Sequence, residues 1–225
     1  MRVAVVRHHE EDSAGFIGDA FEAHGAELST VLFPKEGPLP DLAGLAHIVV
    51  LGSTSSVYDD GEARAWIDED LAWLRWADAA GVPVLGICFG AQLLAAAFGG
   101  VVEDAGAQEI GWVTIDSVDP GLIPPGPWLE FHHDRCLPPA QATVLARNAL
   151  GVQAFRLGRH LAVQFHPEVD GEPFRLWLDS GGRKEISEAG LDPDRLLEQT
   201  IAEEPAAKAR ASRLVAAALR IAGTT

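Results

Sequence analysis

The sequence predicts an α/β fold in which a mostly parallel central sheet lies between two layers of helices. Three features lead to this prediction: short apolar runs of strand length, segments with helical spacing that alternate with them, and glycines where those helices end. Runs that are apolar throughout are typical of parallel strands buried on both faces. We therefore expect a three-layer sandwich.

The first half of the chain shows the alternation most clearly. Between residues 63 and 80, apolar side chains recur at helical spacing, and Gly81 follows the last of them. His8 and His9 come directly after the first strand, at the sheet edge where α/β proteins bind ligands. They could line a pocket or a partner surface, but solvated loop residues are the favoured expectation. The expected elements are strand 2–6, helix 13–25, strand 28–33, strand 47–51, helix 63–80, strand 84–87 and helix 90–98.

The second half of the chain has a different pattern. From Val101 to Val163, short β-like runs are separated by turns rich in proline and glycine, which predicts a small antiparallel or mixed edge of the sheet. A polar stretch follows to about residue 191, and then a helix from about 193 to 221, interrupted near Pro205. We expect residues 1–225 to form one domain with this C-terminal helical extension.

Charge and composition limit the classes of partner. The chain has 33 acidic and 17 basic residues, so its net charge of −16 disfavours binding to nucleic acid or to an anionic membrane. No apolar run approaches the roughly 20 residues of a membrane-spanning helix. The amino terminus lacks the apolar stretch of a secretory signal, and two cysteines are too few for a disulfide framework. A cytoplasmic protein is expected.

The strongest functional signal is the sequence VLGICFGAQ at residues 84–92. An apolar strand leads directly into a helix, with Cys88 at the junction between Gly86 and Gly90. A nucleophile at such a junction sits on a tight turn, where glycine permits close approach of the neighbouring backbone. The helix that follows favours a thiolate and offers amides to an oxyanion. Cys88 is therefore a candidate nucleophile, whereas Cys136, beside two prolines, is expected to be inert.

A second signal is AVQFHPE at residues 162–168. His166, at the end of an expected strand, could take the proton of a thiol and return it to a leaving group. Glu168, two residues on, could hold the imidazole in one tautomer and orientation. HPE alone is weak evidence, but together with the Cys88 junction it predicts a cysteine hydrolase.

GICFGAQ followed by QFHPE resembles the class I, triad-type glutamine amidotransferases, particularly free-standing proteins similar to the amidotransferase domain of GMP synthase. The likeness includes VVLGSTSSVYDD at residues 49–60 and EIGW at residues 109–112. This resemblance implies a flavodoxin-like fold and glutamine hydrolysis through a γ-glutamyl thioester. It further implies that Cys88 is the nucleophile, His166 the general base and acid, and Glu168 the orienting carboxylate.

The resemblance also implies roles for residues around the triad. The main-chain N–H groups of Gly52 and Phe89 would form the oxyanion hole. Three residues would bind the substrate: Gln92 matches the family's glutamine, while His133 and Asp134 fall where relatives carry a histidine-glycine-aspartate segment. A purely structural turn at these last two positions stays open. The chain departs from its relatives in one loop, which reads GST at residues 52–54 where they usually have Gly-Gly-Pro.

Three functions are compatible with the sequence. The first is a glutaminase that supplies ammonia to a separate synthase, because the chain contains no phosphate-binding loop for ATP-dependent chemistry. The second is a self-sufficient hydrolase of γ-glutamyl peptides or other γ-glutamyl amides. The third, a non-catalytic regulatory module, is disfavoured because all three triad residues are present. Neither a cofactor nor a metal ion is expected, since no cluster with ligand spacing accompanies the paired histidines.

Overall fold

The computed structural model describes residues 1–223, which alternate between strands and helices as expected. The strands are β1 Arg2–Arg7, β2 Glu27–Leu32, β3 His47–Val50, β4 Val84–Ile87, β5 Val101–Thr114, β6 Asp116–Ser117, β7 Pro127–Leu137, β8 Thr143–Arg147, β9 Val152–Leu157 and β10 His160–Val163. The helices are α1 Gly15–Ala23, α2 Glu62–Ala79, α3 Phe89–Ala97, α4 Gly171–Trp177, α5 Arg183–Glu188 and α6 Pro193–Ala222, with a π-helical turn Leu178–Gly182 between α4 and α5.

The main sheet has eight strands in the order β2-β1-β3-β4-β10-β9-β8-β6. Pairing is parallel from β2 to β10 and antiparallel from β10 to β6. The predicted parallel sheet with an antiparallel edge is therefore confirmed. Strands β5 and β7 form a separate antiparallel pair. The carboxyl ends of β1, β3, β4 and β10 meet at one edge of the sheet, where α/β proteins bind ligands.

Apolar side chains cover both faces of the parallel strands. In β1, Val3 and Val5 face the layer formed by α1 and α6, whereas Ala4 and Val6 face the layer formed by α2 and α3. All four are almost completely buried. This two-sided burial explains why the strand is apolar throughout and does not alternate with polar residues.

The C-terminal helix differs from the expectation. Helix α6 runs unbroken from Pro193 to Ala222, with Pro205 inside it. A proline in this position crowds the carbonyl four residues earlier and leaves it without a helical donor, here the carbonyl of Ile201. Both residues are exposed, so water can satisfy that carbonyl, while buried Ala207 and Ala211 keep the next turns packed on the core. The predicted interruption near Pro205 is wrong.

The segment after Glu168, expected to be a polar stretch, contains α4, the π-helical turn and α5. Gly181 in the turn has a φ of 126°, a conformation that glycine adopts readily. The segment packs through Phe174, Leu178 and Ile186 on a small apolar cluster. Among the helices of residues 1–223, none combines the length and the apolar character that a membrane crossing requires.

Candidate active site

Cys88 occupies the turn between β4 and α3. Within residues 1–223 it is the one residue other than glycine with a positive φ, at 52°. Its N–H donates to the carbonyl of Val163 at 2.8 Å. A Cβ at Gly90 would lie 2.2 Å from the carbonyl oxygen of Val50, and one at Gly86 would lie 2.5 Å from that of Gly90. Both glycines are therefore required, because the backbone segments approach too closely for a side chain.

His166 and Glu168 follow β10 and lie beside Cys88. His166 Nδ1 is 2.7 Å from Glu168 Oε1, and both side chains are buried. Burial lowers the pKa of His166, but the charges of Glu168 and Cys88 and the hydrogen bonds to them outweigh burial and raise this pKa well above its usual value. A protonated imidazole next to the sulfur favours the thiolate, which is the nucleophilic form.

The loop that carries the histidine and the glutamate is anchored from two sides. The carbonyl of Glu168 accepts the N–H of Phe16 at 3.0 Å, and a Cβ at Gly15 would lie 1.9 Å from the same oxygen. The first residues of α1 are therefore in direct contact with this loop. On the other side, the Trp177 ring meets the His166 ring edge to face at 5.0 Å. These contacts restrict the imidazole to one orientation.

Two backbone amides next to the sulfur are available to a ligand. Gly52 follows β3, and a Cβ there would lie 3.9 Å from Cys88 Cβ. The neighbouring amides are used by the fold, since Leu51 donates to β1 and Gly90 donates to Leu51. In the described part of the chain, residues 1–223, the N–H groups of Gly52 and Phe89 have no acceptor. Their position agrees with the oxyanion hole that the resemblance implies.

A pair of glutamines connects the start of α3 to the cysteine. Gln92 Nε2 donates to Gln164 Oε1 at 3.4 Å, and Gln164 Nε2 lies 3.7 Å from Cys88 Sγ. Gln92 was expected near the substrate, whereas the position of Gln164 was not predicted. Strand alternation could have identified it, because a residue two positions before His166 lies on the same side of an extended chain.

Cys88 borders two pockets. The larger, of about 260 Å³, is also bordered by His166, Asp12 and the π-helical turn. The smaller, of about 120 Å³, is bordered by the three residues expected to bind substrate: Gln92, His133 and Asp134. Asp12 and Trp177 also border the larger pocket and were not predicted, because neither belongs to the two motifs.

One of the two histidines after β1 contradicts its expectation. His8 is buried, with only 2% of its side chain exposed, and its Nε2 lies 2.9 Å from Asp70 Oδ2. Its ring packs against Trp66 at 5.3 Å and Phe89 at 5.2 Å. Helix α2 brings Asp70 and Trp66 to the end of β1, a contact that local sequence does not reveal. His9 is partly exposed and borders the larger pocket.

A buried ionic cluster lies behind the smaller pocket. His132 Nε2 is 3.1 Å from Glu130 Oε2 and 3.2 Å from Glu109 Oε2, and His132 Nδ1 is 2.8 Å from the carbonyl of Asp134. The three donor groups are close enough to hold a metal ion. A protonated imidazole bridges one oxygen of each carboxylate, whereas the other oxygen of Glu130 is buried without a hydrogen-bond partner. His133, by contrast, is about half exposed.

The His132 cluster makes the stability of the fold depend on pH. Burial lowers the pKa of His132, but hydrogen bonds from the imidazole to Glu109 and Glu130 outweigh this and raise the pKa to about 10. Because the folded pKa of His132 lies above the unfolded one, the stabilisation that protonation of His132 contributes is lost as the pH rises from about 6.5 through about 10. Burial raises the pKa of its partner Glu130 to about 7, so both groups are charged between about pH 7 and 10.

We therefore expect the free energy of unfolding to fall by about 2 kcal/mol more in the wild type than in His132→Asn between about pH 6.5 and 9.5. Urea denaturation at both pH values measures this difference. His24→Asn, at an exposed position, is the matched control and should keep the wild-type pH dependence. Equal pH dependence in the wild type and His132→Asn would show that the raised pKa does not belong to His132.

Comparison with protein families identifies the chain. Residues 17–178 match the model of the class I glutamine amidotransferases. The chain belongs to this family. Class I glutamine amidotransferases are generally cysteine-dependent, in agreement with a buried cysteine beside His166 and Glu168.

Among curated relatives of this amidotransferase are glutamine-hydrolyzing GMP synthases. That of Streptomyces avermitilis is 31% identical over 156 residues, which cover 64% of this chain and 28% of the relative. That of Streptomyces coelicolor is 29% identical over 201 residues, which cover 81% of this chain and 35% of the relative. The chain thus spans about a third of the length of the relatives that it matches.

A solved glutamine amidotransferase from Thermotoga maritima has the same fold. It superposes with a TM-score of 0.88 at 25% identity and covers 99% of this chain and 98% of its own. The flavodoxin-like fold implied by the sequence motifs is confirmed. The amidotransferase described here is therefore GMP synthase-like in sequence, with a family fold that extends along nearly all of the chain.

Proposed function

We propose that this chain hydrolyses the side-chain amide of glutamine through a thioester on Cys88 and supplies the ammonia to a separate synthase. The observation that supports the hydrolysis most strongly is that Cys88 and His166 border the same pocket and that His166 is hydrogen-bonded to Glu168, in a family whose members are generally cysteine-dependent. Cys88 lies directly before α3, as a nucleophile in such a turn would, and His166 is held by its hydrogen bond to Glu168.

Acylation of the cysteine is the first step. The thiolate of Cys88 attacks the γ-carbonyl carbon, and the oxygen that becomes negative accepts hydrogen bonds from the N–H groups of Gly52 and Phe89. His166 gives its proton to the amide nitrogen, the C–N bond breaks, and ammonia leaves. The product is a γ-glutamyl thioester on the sulfur.

Hydrolysis of the thioester is the second step. A water molecule attacks the thioester carbon and gives a proton to His166, which is now neutral. The C–S bond breaks, glutamate leaves, and the thiolate of Cys88 is restored. Glu168 keeps the ring in one tautomer through its 2.7 Å hydrogen bond and stabilises the protonated ring.

The smaller pocket suits the amino-acid end of glutamine. Asp134 offers a carboxylate to the α-ammonium group, and the phenol of Tyr58 donates to its Oδ1 at 2.7 Å, which holds it in place. Gln92 and His133 supply polar groups for the α-carboxylate. The volume of about 120 Å³ is small, which agrees with a site for a single amino acid.

The synthase partner is proposed from the relatives. Two of them are glutamine-hydrolyzing GMP synthases about three times as long as the matched region, so most of each relative lies outside that region. We propose that the chain is cytoplasmic, that residues 1–225 fold as one amidotransferase domain with α6 as its C-terminal extension, and that ammonia is used on another polypeptide.

Reaction with glutamine and with a diazoketone analogue of glutamine tests the hydrolysis. We expect equal amounts of glutamate and ammonia from glutamine, and covalent modification of Cys88 by the analogue, located by mass spectrometry of the digested protein. The analogue can label the thiolate even where turnover awaits a partner. If neither glutamate release nor labelling of Cys88 occurs, the proposed function is wrong.

A further inference from the structure

The larger pocket lies on the side of the leaving group. In the proposed mechanism His166 donates a proton to the leaving nitrogen, and His166 borders the larger pocket but not the smaller one. Gln92 and Asp134 border only the smaller pocket, whereas Cys88 and Glu185 border both pockets. The leaving group of a bound γ-glutamyl amide therefore points into the larger pocket.

This pocket is much larger than ammonia. Its volume is about 260 Å³, whereas a molecule the size of water takes up roughly 30 Å³ in the liquid. Phe131 and Trp177 border it with aromatic surface, which suits the methylene groups of an alkyl chain. The space therefore fits an amine with several carbon atoms.

The charges around the pocket are mostly negative. Asp12 and Glu185 border it, and one buried oxygen of Asp12 has no hydrogen-bond partner. Burial and the nearby charge of Glu168 raise the pKa of Asp12 to about 6, so the group is ionised at about pH 8. No lysine or arginine is among the residues of the described chain that border the pocket, and His9 is paired with Glu11 at 2.5 Å.

We propose that the enzyme hydrolyses γ-glutamyl amides of diamines, with the second, positively charged amino group bound between Asp12 and Glu185. The proposal rests on the thioester chemistry proposed above and adds a diamine as a second leaving group beside ammonia. A γ-glutamyl peptide would instead place the carboxylate of its released amino acid against two carboxylates, with no lysine or arginine at the pocket to pair with it. The pocket thus selects among γ-glutamyl amides by the charge of the amine.

The chemistry balances without an added reactant. Cys88 sulfur forms a bond to the γ-carbonyl carbon, the C–N bond breaks, and the nitrogen leaves as the amino group of the diamine with a proton from His166. Water then cleaves the thioester and restores that proton to His166. The products are glutamate and the free diamine.

Three amides of similar length test the charge selection. The γ-glutamyl amides of diaminobutane, butylamine and aminobutyrate carry a positive, a neutral and a negative end, respectively. At about pH 8 we expect kcat/KM for the diaminobutane amide to exceed that for the butylamine amide by about tenfold, with the aminobutyrate amide slowest. Equal rates for the positive and neutral amides, or a faster negative one, would overturn the proposal.

Variants of the acidic residues that border the larger pocket test whether this pocket causes the charge selection. Asp12→Asn should reduce the kcat/KM ratio of the positive to the neutral amide severalfold, and a ratio is insensitive to a general loss of activity. Glu185→Gln serves the same purpose if Asp12→Asn fails to fold. Glu69→Gln, an exposed residue of α2, makes the same change in net charge and should keep the wild-type ratio. An unchanged ratio in both pocket variants would overturn the proposal.

Glutamine in the same assay separates the two proposals. If glutamine is hydrolysed and the diaminobutane amide is not, the charge selection is wrong and the proposed function stands. If no substrate is hydrolysed and the diazoketone does not label Cys88, the thioester chemistry is wrong and the selection is wrong with it.

Discussion

Replacement of Cys88 by alanine is expected to lower glutamine turnover by about 10⁴-fold or more, since no other group can form the thioester. The position is buried and tightly held, so the loss of one sulfur atom leaves the neighbouring backbone contacts in place. Release of glutamate by the purified variant, measured beside the wild type at the same concentration, gives the ratio of the two rates.

Cys136→Ala is the matched control for this experiment. Cys136 is the other cysteine of the chain, lies in β7, and is only 2% exposed. Burial raises the pKa of its thiol to about 12, so it remains a neutral, apolar side chain. We expect this variant to retain turnover close to the wild-type rate. Equal loss in both cysteine variants would show that the effect comes from packing and would contradict a nucleophile at Cys88.

Gly90→Ala is expected to lower the free energy of unfolding by about 3 kcal/mol or more, or to prevent folding. An added Cβ would lie 2.2 Å from the carbonyl oxygen of Val50 and 2.9 Å from its carbonyl carbon. Neither atom can move without shifting β3 in the middle of the sheet. Urea denaturation followed by circular dichroism measures the change.

Gly151→Ala provides the comparison for the glycine prediction. A Cβ there would lie 3.8 Å from the side chain of Arg135, an ordinary van der Waals distance. The free energy of unfolding should therefore change by less than about 0.5 kcal/mol. If Gly90→Ala is as stable as Gly151→Ala, the close approach of Gly90 to β3 is wrong.

Much of the fold could be predicted because its determinants are local. Apolar runs such as residues 84–87 are buried on both faces of a parallel strand, and that burial is visible in the sequence as an absence of polar residues. The junction at Cys88 could be predicted for the same reason, since Gly86 and Gly90 lie beside it in the chain.

The remaining features depend on contacts between distant segments. His8 was expected in solvent, but Asp70 reaches it from α2, and no local pattern links the two positions. Asp12 and Trp177 border the larger pocket because β1 and the segment after β10 end at the same edge of the sheet. Pro205 was expected to interrupt α6, yet packing on either side of it maintains the helix.

Trapping the covalent intermediate tests the thioester mechanism most directly. Mixing the protein with glutamine, or with the diaminobutane amide, and quenching in acid within a turnover should give a fraction of the chain heavier by one glutamyl group. Digestion should locate that group on the peptide that contains Cys88, and hydroxylamine should remove it. Substrate turnover without such an adduct, or an adduct elsewhere that survives in Cys88→Ala, would contradict a thioester mechanism.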